Sequence, residues 1–195
     1  IVLWVEGVIS FFYGRDDALI IRLHPSETTI LSGSVSFESI IRESFPDIDL
    51  CGNITIISSD SNVNTYALIE NEIDIVLDYD TIVALEAVYL STPVITASMS
   101  RYRKANFAIT TSSKKEYYDL LKNPSDIIKK NDENKDAILL NMYQYAYWYI
   151  YLLNGYFPID PLFDLERSSD KLTKNNFDER VNQELRMSLD RMLQL

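Results

Sequence analysis

The sequence predicts an α/β protein with a mostly parallel sheet of about five strands, followed by C-terminal helices. Three observations lead there. Short β-branched runs alternate with helix-length segments over residues 18–121. The stretch 73–96, I-D-I-V-L-D-Y-D-T-I-V-A-L-E-A-V-Y-L-S-T-P-V-I-T, reads as strand, turn, helix and strand. From Pro124 onward, strand signals stop. Two parallel strands joined by a helix form a right-handed crossover, and the turn leaving the first strand lies at the carboxyl edge of the sheet, where open α/β folds bind ligands. The candidate site is therefore 78–86, where backbone N–H groups from about Thr81 suit an anion such as a phosphate.

Taken in order, 1–13 is apolar enough for a helix packed on a sheet, and 14–17 ends it. Residues 18–23 (A-L-I-I-R-L) read as a buried strand running into His24-Pro25, where proline forbids a further ladder donor. Residues 34–44 place Val35, Phe37, Ile40 and Ile41 on one helical side, leading to a turn at 46–52 and a strand at 54–57. The loop 58–64 (S-S-D-S-N-V-N) is rich in capping residues ahead of a helix at 65–69. After the central unit, 94–97 is a strand leading into 98–104 (S-M-S-R-Y-R-K), the one locally basic loop. Residues 107–110 are a candidate fifth strand, and 112–121 a helix capped by Ser112 or Ser113 with Glu116 nearby. A single long helix is expected over 133–154, covered on several sides because its tyrosines fall on more than one face. Residues 157–176 read as an extended connector, and 177–195 as a terminal helix with Phe177, Val181, Leu185, Leu189 and Met192 on one stripe.

Composition excludes several function classes. A net charge of −11 over 195 residues, with no Lys/Arg stripe, argues against general nucleic-acid binding, because phosphate backbones require a concentrated basic surface. One cysteine, Cys51, excludes an internal disulfide, and a lone histidine far from it in sequence makes a structural zinc site improbable, so no metal is expected. The chain lacks G-x-G-x-x-G, G-x-x-x-x-G-K-[ST] and G-x-S-x-G. The apolar segment 138–157 has the length of a membrane span, but Asn141, Gln144, Asn154 and its tyrosines favour a buried or interfacial soluble helix. Opening on Ile1 with an element already in progress, the sequence reads as a piece of something longer without a signal peptide.

If the strands are parallel, four loops meet at one sheet edge: His24, the segment 58–62, the segment 78–81 and the segment 98–104. Together they offer an imidazole, hydroxyls, helix N-termini and the cations Arg101, Arg103 and Lys104, with Glu86 one to two turns into the central helix. Such a set suits a nucleotide. Read singly, Asp80 is a helix N-cap, and Asp60 and Asn62 are turn and cap residues.

The R-x-H-P of Arg22, His24 and Pro25, followed by D-x-V-x-x-Y-x-T-x-x-x-E-A-x-x-x-x-x-P-V-I across 74–95, resembles the donor-binding, C-terminal half of GT-B glycosyltransferases of the capsule polysaccharide biosynthesis type. Bacterial sialyltransferases and Kdo transferases of that fold share an H-P motif and a later Ser/Thr motif that bind a cytidine nucleotide. The resemblance covers roughly 18–121 and implies a Rossmann-like three-layer domain, one half of a GT-B fold, over 1–130. The region 131–195 is then a helical extension packing on it or on an N-terminal domain of the same protein. By the same resemblance His24 contacts the donor phosphate or ribose, Thr81 helps hold the phosphate, and Glu86 meets the ribose or supports the site. The expected donor-binding set is His24, Pro25, Arg22, Thr81, Asp80, Glu86, Ser59, Asn62 and Arg101. Asp80 stands where that family usually has serine, and Val83 and Ser91 fall where glycine is common.

The implied reaction is displacement of a nucleotide from a CMP- or UDP-linked sugar by a hydroxyl of a glycan acceptor. The general base comes from the N-terminal domain in such enzymes, so no catalytic residue is named here, and no cofactor is required. The implied location is cytoplasmic, with peripheral attachment at the inner face of the membrane left open. A CDP-polyol phosphotransferase of the teichoic-acid-polymerase type and a non-catalytic module with a degenerate nucleotide pocket are the alternatives.

Overall fold

The computed structural model describes residues 1–25, 27, 36–97, 100–147 and 149. Expectations for 34–35, 98–99, 150–154, the connector at 157–176 and the terminal stripe at 177–195 lie outside the described residues. The chain divides into two compact units, 1–65 and 66–195.

The first unit opens with helix α1 (Val2–Phe12), which buries Val5, Val8, Ile9 and Phe12. That spacing of three, four and seven residues is one helical stripe. Gly14 then takes a positive φ of 74°, a conformation open to glycine without strain, and turns the chain into strand β1 (Leu19–Arg22). Asn53 clamps this corner: its side-chain amide donates to the Phe12 carbonyl (2.8 Å) and the Asp17 carbonyl (3.0 Å). Helix α2 (Phe37–Ser44) starts on Ser36, whose hydroxyl accepts the Ser39 N–H, and sinks Ile41 into the core. A short 3-10 turn (Ile48–Leu50) buries Ile48 and leads to strand β2 (Ile54–Ile57). Strands β1 and β2 pair in parallel, Leu19 opposite Ile54 through Arg22 opposite Ile57.

In the second unit, helix α3 (Thr65–Glu72) opens at the boundary and precedes strand β3 (Val76–Asp78), helix α4 (Val83–Tyr89) and strand β4 (Val94–Thr96). Strand β5 (Ile109–Thr110) completes a parallel sheet in the order β3, β4, β5. Helix α4 buries Ala84, Leu85, Ala87 and Val88, which share a core with Val94 and with Met142, Tyr143, Ala146 and Tyr147. The far end of α4 closes in a Schellman motif: the Ser91 N–H donates to the Val88 carbonyl and the Thr92 N–H to the Ala87 carbonyl, both at 2.9 Å. Ser91 sits there at φ 72°, in the left-handed region where glycine is the unstrained residue. Helix α5 (Lys114–Leu121) is capped by Ser113, while Glu116 reaches back to the Ser112 N–H at 2.7 Å.

The α/β class and the parallel pairing match the expectation, but a single sheet of about five strands does not form. Among the described residues the strands make one ladder of two and one of three. Apolar runs mark where strands are; they do not say which neighbour supplies the ladder, because backbone pairing carries no side-chain signature. The helix expected over 133–154 is present as far as the described residues reach, starting at Lys135, and the structure adds a separate helix ahead of it. Helix α6 (Pro124–Glu133), with proline at its start where a missing N–H costs nothing, comes first. It stops at Asn134, and helix α7 (Lys135–Tyr147) begins anew. Asn134 turns its amide onto the Lys130 carbonyl (2.8 Å), the local side-chain bond that lets asparagine compete with helix continuation. Among the described residues, no helix is long and apolar enough to cross a membrane.

Candidate functional site

The turn between β3 and α4 is built around Asp78, the last residue of β3, which is only 3% exposed. Its carboxylate accepts the Thr81 N–H (3.0 Å) and the Thr81 hydroxyl (2.5 Å), and its backbone carbonyl accepts the Ala97 N–H at 2.9 Å. Burial raises the Asp78 carboxyl above its ordinary range, and the two bonds from Thr81 offset that only in part. On the other side of the turn the Tyr102 hydroxyl donates to the Thr81 carbonyl (2.6 Å). Tyr102 is 1% exposed, and burial pushes its own hydroxyl far above the ordinary tyrosine range.

Asp80 does not cap α4. The helix begins at Val83, and its cap position is held by Ile82 without a side-chain bond. Instead the Asp80 carboxylate faces Arg101, accepting from its backbone N–H (3.0 Å), from Nε (2.9 Å) and from Nη2 (3.2 Å), while Nη2 also donates to the Asp80 carbonyl (3.1 Å). The remaining Nη1 donates to the Tyr149 hydroxyl (2.9 Å), and the guanidinium lies 5.5 Å from the Tyr149 ring centroid and 5.9 Å from that of Tyr102. The hydrogen bond to Asp80 raises the Arg101 pKa; in return, although burial pushes the Asp80 carboxyl up, the bonds and charge of Arg101, with a bond from the Ser100 side chain, prevail and hold it below the ordinary range. Glu86 lies on α4 and accepts the Tyr66 hydroxyl (3.0 Å); burial raises its carboxyl, with the tyrosine bond acting the other way.

The first unit holds the other assigned residues. Arg22, at the end of β1, donates from Nη1 to the carbonyls of Leu23 (2.9 Å) and Ser58, and from Nη2 to that of Ser61 (3.2 Å). Its guanidinium therefore fastens the loop after β2 to the end of β1. His24 and Pro25 follow β1 on the surface, with the His24 carbonyl accepting the Glu27 N–H at 3.0 Å. Ser59 is half-buried and Asn62 exposed in the loop after β2, where the Ser58 hydroxyl donates to Asp60. The assigned residues thus fall into two groups, one in each unit. Within the second, Asp80 and Arg101 bond each other, Thr81 bonds Asp78 and Tyr102, and Glu86 meets Tyr66.

Sequence reasoning left out Tyr66, Tyr102 and Tyr149. The only available signal was tyrosine enrichment, which a helix of packed aromatics produces equally well. A cleft of about 650 Å³ elsewhere in the second unit is lined by Val94, Phe107, Ile109, Leu120, Ile127 and Asn131 among others, and none of the sequence-assigned residues borders it. No group of three or more His, Cys, Asp or Glu side chains among the described residues is arranged to hold a metal ion. Comparison with protein families, with curated proteins and with solved structures returns no match.

Proposed function

We propose that this chain is the nucleotide-sugar-binding part of a GT-B-type glycosyltransferase acting in bacterial surface polysaccharide synthesis. One observation carries the reading. The motif at 74–95 spans a β3-turn-α4-β4 unit with parallel strands, and the loop after β4 delivers an arginine to the turn after β3. That is the place where an α/β sheet receives a phosphate. In this reading Arg101 and the Thr81 hydroxyl take the charge that develops on the donor phosphate as the sugar departs, and Glu86 serves the ribose. The resemblance of the R-x-H-P segment and its following loop assigns His24, Pro25, Ser59 and Asn62 of the first unit to the donor, with Arg22 holding that loop rather than the ligand. An acceptor hydroxyl displaces the nucleotide, with its proton taken by a base outside this chain.

A second reading has an observation of its own. The Thr81 N–H is already engaged by Asp78, and Arg101 by Asp80, which favours a non-catalytic module with a degenerate pocket.

A thermal-shift panel of CMP, CDP, UDP, GDP and ADP separates the two. Ligand at about a hundred times its Kd adds roughly 2.7 kcal/mol of stability. Donor binding predicts stabilisation by a cytidine or uridine nucleotide. It also predicts a roughly ten- to hundredfold weaker affinity in His24→Ala, the effect of losing one charge-assisted bond. A flat panel on this chain and on the protein with its N-terminal domain would sink the donor reading.

A further inference from the structure

The geometry points to Arg101 as an oxyanion receptor whose resident occupant is the protein's own Asp80, a carboxylate that holds the place of a ligand phosphate and competes with it. The inference rests on the donor-binding reading only for what the rest of the ligand is.

The donors define the receptor. The Arg101 backbone N–H, Nε and Nη2 all reach the one carboxylate, at 3.0, 2.9 and 3.2 Å. A planar fork of this kind matches a phosphate as well as it matches a carboxylate. The guanidinium is also held by groups that stay behind when the anion leaves. Nη1 is bonded to Tyr149, and the Tyr149 and Tyr102 rings lie against the cation. Tyr102 in turn is anchored to the turn through the Thr81 carbonyl. When the Asp80 side chain leaves, Arg101 keeps the Asp80 carbonyl, the Tyr149 hydroxyl and the two rings as partners.

The occupant is positioned to leave. Its side chain is 36% exposed and that of Arg101 40%, so water and ligand reach the pair, and an ion pair this open is weak and exchanges readily. Asp80 carries one negative charge, whereas a pyrophosphate carries several, so a diphosphate outcompetes it where a weak monoanion does not. Once displaced, the carboxylate remains beside the incoming phosphates and repels them, which lowers affinity without abolishing the site. The arrangement thus selects for polyanionic ligands and keeps resting affinity low.

Isothermal titration of the full chain with inorganic pyrophosphate and with CDP tests this in the unaltered protein, Asp80→Asn, Asp80→Ser and the double variant Asp80→Asn with Arg101→Gln. Removing the charged competitor should tighten pyrophosphate binding by about tenfold or more in both single variants, and the double variant should lose that gain. On the unaltered chain, millimolar pyrophosphate should shift the Arg101 Nε–H resonance, a readout that needs no variant to fold. A gain for pyrophosphate with no response to CDP upholds the receptor and removes the cytidine nucleotide. CDP binding of equal strength with and without Asp80 upholds the nucleotide and overturns the competitor. An unshifted Arg101 resonance, or unchanged pyrophosphate affinity in folded Asp80 variants, overturns the inference outright.

Discussion

Two arginines near the carboxyl ends of strands do opposite things in the two units. Arg22, at the end of β1, spends its guanidinium on the carbonyls of Leu23, Ser58 and Ser61. Arg101, in the loop after β4, gives two of its guanidinium bonds to the side chain of Asp80, one to the Asp80 carbonyl and one to the Tyr149 hydroxyl. Backbone carbonyls are fixed parts of the frame and cannot move aside for a ligand. A carboxylate on a side chain can. The difference separates a structural cation from an exchangeable one, which neither residue type nor place at a sheet edge distinguishes.

The sharpest way to break that comparison is Arg22→Met, which keeps the apolar stem and removes the fork. Losing charge-assisted bonds to three carbonyls should cost about 2 kcal/mol in urea unfolding. A loss under about 0.5 kcal/mol would show that the loop after β2 holds itself without Arg22.

Asp78 offers a second test, because in its turn a carboxylate rather than a cation is the organiser. The folded chain raises the Asp78 carboxyl above its ordinary value of 3.8, so the folded state holds this proton more tightly than the unfolded one. The stability it contributes is complete below that ordinary value and falls as pH rises through the raised pKa. Glu86, raised from 4.5, acts with the same sign. Asp78→Asn should flatten part of this fall in a pH series of melting curves while preserving an acceptor for Thr81. An unchanged pH profile would mean that Asp78 titrates as it does in the unfolded chain.

The smallest effect is expected at the opposite end of α4. Ser91→Gly relieves a side chain held at φ 72° and should stabilise the chain by about 0.5–1 kcal/mol, read as a higher Tm. It should leave the pH response of Asp78 intact. A coupled change would show that the turn before α4 and the motif after it open together.

Much of the secondary structure was legible in the sequence. Residues 18–23, 54–57 and 94–97 each contain a strand, and Ser113 caps its helix with Glu116 as the S-x-x-E spacing expects. The misses share a cause. Strand β3 starts at Val76, later than the apolar run at 73–77, because an apolar run continues as strand only where a partner backbone is present, and here Val76 is the first residue opposite β4. Asp80 was assigned to cap a helix that begins two turn residues further on. An aspartate's reach to an amide in the next turn is local and readable, whereas its reach to Arg101 spans 21 positions and is not.

The sequence by itself determined the α/β class, the parallel strand-turn-helix-strand unit at 73–96, and the presence of acidic, hydroxyl and cationic residues in the loops after strands. These follow from periodicity and local capping chemistry, which act over a few residues. Tertiary structure alone decided that the strands divide into ladders of two and three, that Arg22 binds carbonyls while Arg101 binds Asp80, and that Tyr102 and Tyr149 hold the second arginine in place. Those outcomes depend on which backbone and which charge arrive at one point in space, and no short-range pattern encodes that meeting.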